Sequence, residues 1–248
     1  MPKKPKPRLD ELLVSKGLAP SRSKASALIM AGQVQVDGQP VLKASARLSP
    51  SSDIKILSGQ ALKYVSRGGL KLEGALRDLK IEPGGKVALD VGASTGGFTD
   101  CLLQSGAKMV YAVDVGKGLI DLKLRHDSRV RLMEKSNARH LQPGFFDPRP
   151  SLAVIDVSFI SLKIVLPAVV PCLARPAEIL ALVKPQFEVG RGKTKGGVVK
   201  DEGLRRQAID QIRNFAVSEL ALTFTGECSS RYPGPEGNVE QFLYFRIL

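Results

Sequence analysis

Ala88-Leu89-Asp90-Val91-Gly92-Ala93-Ser94-Thr95-Gly96-Gly97-Phe98-Thr99 reads as a buried strand running into a glycine-rich turn and the start of a helix. Glycines at such a turn let the backbone pass close to a ligand, and a helix N-terminus presents N–H groups without intrahelical partners. Asp114 follows the next apolar run, 22 residues beyond Gly92, where an acidic side chain can accept from ribose hydroxyls. A dinucleotide fingerprint wants glycine at the second position of the turn, and this chain has Ser94. A side chain there hinders a pyrophosphate but not a nucleoside carrying an amino-acid tail. Gly92, Ser94, Gly96, Gly97, Phe98, Thr99 and Asp114 are therefore the candidate nucleoside site, with an ordinary packing turn as the plain alternative.

Downstream, apolar strand-like runs alternate with helix-like segments. The strands are Val87–Val91, Met109–Val113, Val130–Met133, Leu152–Ile155, Ile179–Val183, Leu222–Thr225 and Phe242–Ile247. The helices are Gly97–Gln104, Ile160–Leu173 and Gly203–Leu220, preceded by a helix through Leu70, Leu76 and Leu79 that ends near Pro83-Gly84-Gly85. Such alternation predicts a mostly parallel sheet covered on both faces. No helix separates the last two strands, so the final one is expected to be antiparallel.

Upstream, Leu9, Leu12 and Leu13 mark one helical face that stops at Gly17. Ser21 can cap a second helix, with Ala25, Leu28 and Ile29 apolar and Gly32 at its end. Val34-x-Val36, Asp37-Gly38 and Val41 read as a hairpin, and Ile54-x-Ile56 as a further strand. Residues 1–80 hold 15 Lys+Arg against 6 Asp+Glu, a net of +9 out of the chain's +13. A field so concentrated favours polyanions, nucleic acid above all. Residues 1–60, a basic tail and a small module joined by a linker at Ser58-Gly59 to residues 61–248, are expected to supply RNA affinity and not cofactor affinity.

Four polar residues stand out by position. Lys71 opens the helix before the sheet, Asp156 follows Leu152–Ile155, Lys184 ends Ile179–Val183, and Glu240 opens the last strand. In a parallel sheet, Asp156 and Lys184 lie at carboxyl ends of central strands, where ligands bind. Each alone reads as a solvated strand end; four converging on one edge read as a site.

Cys101, Cys172 and Cys228 form no CxxC pair and His126 and His140 are the only histidines, so neither a disulfide framework nor a metal site is expected. No run reaches the roughly 18 apolar residues of a membrane helix. Gly190-Arg191-Gly192-Lys193-Thr194-Lys195-Gly196-Gly197 is basic and glycine-rich but lacks the phosphate-loop spacing, and reads as an RNA-gripping or merely solvated loop.

Arg8-Leu9-Asp10, Ser21-Arg22-Ser23-Lys24-Ala25, Ala31-Gly32-x-Val34-x-Val36 and Lys43 resemble the RNA-binding module named after ribosomal protein S-four. Ser66-Arg67-Gly68-Gly69-x-Lys71, the segment from Asp156 to Leu162, the segment from Leu182 to Glu188, and Gly234-Pro235-x-Gly237-Asn238-Val239-Glu240 resemble the hemolysin-A-type rRNA methyltransferases, across about residues 8–248. The four polar residues match the Lys-Asp-Lys-Glu tetrad of FtsJ-like ribose methyltransferases. The resemblance implies a Rossmann-like seven-stranded α/β methyltransferase sheet behind a small α+β RNA-binding domain. It implies methyl transfer from S-adenosylmethionine to a cytidine 2′-hydroxyl in ribosomal RNA, in the cytoplasm. Lys71, Asp156, Lys184 and Glu240 are then catalytic, and Asn137 and Asp156 join the cofactor residues. Arg8, Arg22, Lys24, Lys43 and Arg67 face RNA or the ribosomal subunit. A weakly acidic ribose hydroxyl needs a base, and Lys184 is the candidate, with Asp156 orienting it and Lys71 and Glu240 tuning it. The alternatives are a non-catalytic ribosome-assembly factor and a membrane-acting hemolysin. Monomer and homodimer are both open.

Overall fold

The computed structural model describes residues 6–41, 43–57, 63–190, 192–234 and 237–248. The N-terminal residues of the basic tail, the Ser58-Gly59 linker, Arg191 and Pro235 lie outside them.

The N-terminal unit consists of helices α1 (Leu9–Ser15) and α2 (Arg22–Met30) and strands β1 (Val34–Val36), β2 (Gln39–Pro40) and β3 (Ile54–Ile56). The strands form an antiparallel sheet of order β2-β1-β3. The Ser21 side chain accepts from the Lys24 amide and caps α2. Leu9, Leu13, Ile29 and Val34 form a separate small core.

The larger unit contains α3 (Arg67–Asp78), β4 (Val87–Val91), α4 (Gly97–Gln104), β5 (Met109–Val113), α5 (Leu122–Arg125), β6 (Val130–Met133) and β7 (Leu152–Ile155). It continues through α6 (Leu162–Val169), β8 (Ala177–Val183), α7 (Pro185–Glu188), α8 (Glu202–Ser218), β9 (Thr223–Ser229) and β10 (Gln241–Ile247). The seven-stranded sheet has the order β6-β5-β4-β7-β8-β10-β9 and is parallel except for β10. Its strands alternate sides with a period of two. Leu89, Ile155 and Phe245 meet α6 and α8 on one face, and Ala88, Leu152 and Phe242 meet α3 and α4 on the other. Each such Leu, Ile or Phe side chain, fully buried, stabilises the fold by roughly 1.5–3 kcal/mol.

The predicted strands recur, with four shifted ends. β8 starts earlier, β9 begins and ends later than Leu222–Thr225, and β10 gains Gln241. Ile160–Leu173 shortens to α6 followed by a 3-10 turn at Val170–Cys172, because Pro167 and Pro171 cannot donate ladder hydrogen bonds. The helix around Leu70 starts four residues before Lys71, at Arg67, and stops at Asp78 rather than near Pro83.

This topology places the site. The parallel strands β4, β7 and β8 deliver Gly92, Asp156 and Lys184 to one edge of the sheet. Because β10 runs antiparallel, with Gln241 opposite Val183, its beginning rather than its end reaches that edge and brings Glu240 along.

Candidate active site

Lys71, Asp156, Lys184 and Glu240 meet. The Lys71 ammonium lies 2.6 Å from Glu240 Oε2, and the Lys184 ammonium 2.5 Å from Asp156 Oδ1. Lys184 Nζ also donates to Ser158 Oγ at 2.9 Å. Glu240 is fully buried and Lys184 nearly so. Burial pushes the Glu240 carboxyl up, while the Lys71 and Lys184 charges pull against it and Asp156 adds to the rise. The four side chains thus form one electrostatic unit of two cations and two carboxyls.

Gly92, Ser94, Gly97 and Phe98 line a cleft together with Lys71, Asp156 and Lys184. Two of the glycines serve packing as well. A Cβ on Gly92 would sit 2.3 Å from the Asp156 carbonyl oxygen, and one on Gly97 would sit 2.9 Å from the Gly69 amide of α3. Gly96 is the N-cap of α4. Thr99 does not reach the cleft; it is buried and donates to Asp90 Oδ2 at 2.6 Å. Asn137 accepts from the Arg139 amide at 3.2 Å, capping a short 3-10 turn, and lines an adjoining cleft with Val115 and Phe159.

The turn suits a nucleoside better than a pyrophosphate. The Gly92 and Ala93 amides donate to Val113 O, the Gly96 amide to Ala93 O, and the Ser94 amide to Asp114 Oδ2, so these four are already engaged and do not cradle phosphate. Asp114 also accepts from the Gly116 amide at 2.7 Å. Each carboxylate oxygen keeps a second lone-pair direction for a ribose hydroxyl. Asp114→Ala should weaken adenosylmethionine binding by roughly 1.5–3 kcal/mol, the worth of hydrogen bonds to a charged acceptor, and leave RNA binding intact. Calorimetric titration checks this, and an unchanged dissociation constant would place the ribose partner elsewhere.

The five basic candidates divide. Arg8 makes a two-pronged contact with Asp10 at 2.9 Å for each arm, and Arg22 reaches the same carboxylate at 3.3 Å, so Asp10 presets both guanidinium groups. Arg8 and Lys43 line a second cleft, whose opposite wall carries Phe159, Phe187 and Lys184. Arg67 lines the first cleft and lies over the Tyr232 ring. Lys24 instead donates to Leu119 O, docking α2 onto the loop before α5, and this partial burial pushes its ammonium down.

The N-terminal unit packs against the glycine-turn cleft rather than standing apart from it. Gln33 Nε2 donates to Val65 O, the Arg67 amide donates to Ala31 O at 3.2 Å, and Met30 and Ala31 form part of the first cleft's wall. Sequence reasoning placed Asp90, Ser158, Phe159 and Glu188 within motifs but gave none of them a role of its own. Burial pushes the Asp90 carboxyl up to about 7 beneath the turn. Phe159 is 85% exposed with φ +65, its ring 5.0 Å from that of Phe187. An aromatic three residues after a site carboxylate was the available signal. Met30 had none, because only the docking of α2 brings it to the site.

A Rossmann-like sheet with one antiparallel strand, a glycine turn and a Lys-Asp-Lys-Glu cluster at its carboxyl edge defines a methyltransferase domain. The FtsJ-like methyltransferase family matches residues 64–247, and the S4 domain matches residues 7–54. The chain belongs to the FtsJ-like methyltransferase family and carries an S4 domain ahead of the catalytic one. It is 47% identical to the 16S/23S rRNA (cytidine-2′-O)-methyltransferase TlyA of Mycobacterium tuberculosis, over 96% of this chain and 89% of that protein. It is 42% identical to Hemolysin A of Brachyspira hyodysenteriae, over 97% of this chain and 100% of that protein. A solved structure titled as a hemolysin from Streptococcus thermophilus superposes with a TM-score of 0.75 at 41% identity, covering 98% of this chain and 88% of that one. Among the described residues, no helix is long and apolar enough to cross a membrane.

Proposed function

We propose that this protein transfers a methyl group from S-adenosylmethionine to the ribose 2′-hydroxyl of a cytidine in ribosomal RNA, acting in the cytoplasm on RNA or on ribosomal subunits. The observation that carries this reading is the convergence of Lys71, Asp156, Lys184 and Glu240 where the glycine-turn cleft meets the cleft lined by Arg8 and Lys43. When bound, adenosylmethionine supplies a methyl already activated by its sulfonium. Gly92, Ser94 and Phe98 would flank its amino-acid half, Asp114 its ribose, and the Asn137–Val115 cleft its base.

The RNA side belongs to the opposite walls. Arg8 and Lys43 suit phosphates, which fix register without reading sequence. Phe159, exposed beside Lys184, offers a face on which an unstacked base can rest. Lys184 stands at the junction and takes the hydroxyl proton as the oxygen attacks, provided it enters the step as the amine. Asp156 holds Lys184 in place and balances the charge it gains. Lys71 neutralises Glu240, whose burial would otherwise disfavour its charge.

The position of the new methyl tests the reading. A 2′-O-methyl nucleotide resists alkaline cleavage of its 3′ phosphodiester, whereas a base-methylated one does not. Ribosomal RNA labelled by the purified enzyme and digested with alkali should release its label in dinucleotides or longer products. Label found only in mononucleotides would rule out the ribose.

A further inference from the structure

We infer that Ser158 is a positioning residue that aims Lys184 at the acceptor oxygen; the inference rests on the function proposed above. Among the described residues, the cofactor-facing and RNA-facing clefts share three lining residues, Met30, Ser158 and Lys184. Donor carbon and acceptor oxygen must meet where those clefts join. Of the three, Ser158 and Lys184 are polar, and they are hydrogen-bonded at 2.9 Å.

As the base, Lys184 enters the step as an amine on a flexible stem, with two N–H donors and one lone pair. Ser158 Oγ accepts one N–H at 2.9 Å, and the Asp156 carboxylate, an ion-pair partner 2.5 Å from Nζ, draws the other. With both N–H directions set, the lone pair is set as well, and it is what faces the acceptor hydroxyl. Asp156 alone would allow Nζ to swing about a single contact.

Ser158 can hold this position because its loop is pinned at both ends. At one end Gly92 has no Cβ, and the Asp156 carbonyl packs into the space. At the other end Glu188 accepts from Ser161 Oγ at 2.6 Å and from the Leu162 amide at 2.9 Å. The loop from Asp156 to Leu162 is thereby tied to the segment that carries Lys184, since Glu188 closes the α7 helix that Lys184 caps. In the transfer itself the oxygen–methyl bond forms, the sulfur–methyl bond breaks, and the hydroxyl proton passes to Lys184 Nζ. Ser158 ends the step in its starting protonation state, with its own O–H still available to donate.

The test compares Ser158→Ala and Ser158→Thr in the full-length enzyme, with ribosomal subunits as acceptor. Ser158 is exposed, so both variants should melt with the parent protein. Ser158→Ala should lose about tenfold to a hundredfold in single-turnover rate at saturating substrates, since small misplacements at a reacting centre carry penalties of that order. Dissociation constants for adenosylmethionine and for RNA should stay within about twofold, a narrow margin against 1.4 kcal/mol per tenfold. Ser158→Thr, which keeps the hydroxyl, should recover most of the rate. A parental rate in Ser158→Ala, a loss confined to either dissociation constant, or a threonine variant as slow as alanine would each overturn the role. Absence of ribose methylation by the parent enzyme would instead defeat the function on which the role rests.

Discussion

Lys184→Arg should fold, bind both substrates, and lose turnover by about 10²-fold or more, the usual scale for removing a general base. Arginine preserves the positive charge and can still reach Asp156, but a guanidinium does not release its proton at working pH. The substitution therefore separates two roles that alanine confounds. If Lys184 accepts the ribose proton, arginine and alanine variants should be comparably inactive. If Lys184 only offsets a phosphate charge, arginine should restore much of the rate. Rapid-quench single turnovers with both substrates saturating give the chemical step directly. An arginine variant with near-parental turnover would remove Lys184 as the base while leaving the ribose assignment untouched.

Lys71→Ala should act first on stability. Glu240 is fully buried and its close ammonium partner is Lys71, at 2.6 Å. Removing one member of a buried pair leaves an uncompensated charge, at a cost of about 3–5 kcal/mol. Lys184 also acts on Glu240, which places the expected loss near the lower figure. For a protein of this size that corresponds to a fall in melting temperature of roughly ten degrees. Replacing both partners, as Lys71→Met with Glu240→Gln, should restore most of the stability but not the turnover. Thermal unfolding of the three proteins checks this, and an unshifted melt for Lys71→Ala would show that Glu240 is neutral in the folded state.

The parts of the fold set by periodicity were legible in sequence. Val87–Val91, Met109–Val113, Val130–Met133 and Leu152–Ile155 are found with the same ends, because buried strands bounded by turn residues leave little freedom in register. Pro167 and Pro171 shortened one helix, and α5 and α7 were too short to give a periodic signal. The tetrad was legible because three of its members sit at strand ends and β10 had to run antiparallel. The turn residues were harder to read, since spacing cannot tell a glycine beside a ligand from one under a neighbouring backbone. Thr99 turned inward to Asp90, and Lys24 turned toward Leu119. Both are outcomes of tertiary packing that a motif does not encode.

The close approach of Gly92 to the Asp156 carbonyl carries a lesson for redesign. An engineer wishing to admit a bulkier sulfonium donor would look first to the glycine turn and would read Gly92 as spare room. Filling that room would push on the catalytic loop before it touched the donor, so libraries at Gly92 would return dead enzymes rather than altered cofactor preference. Ser94, whose side chain the turn already tolerates, is the better place to begin.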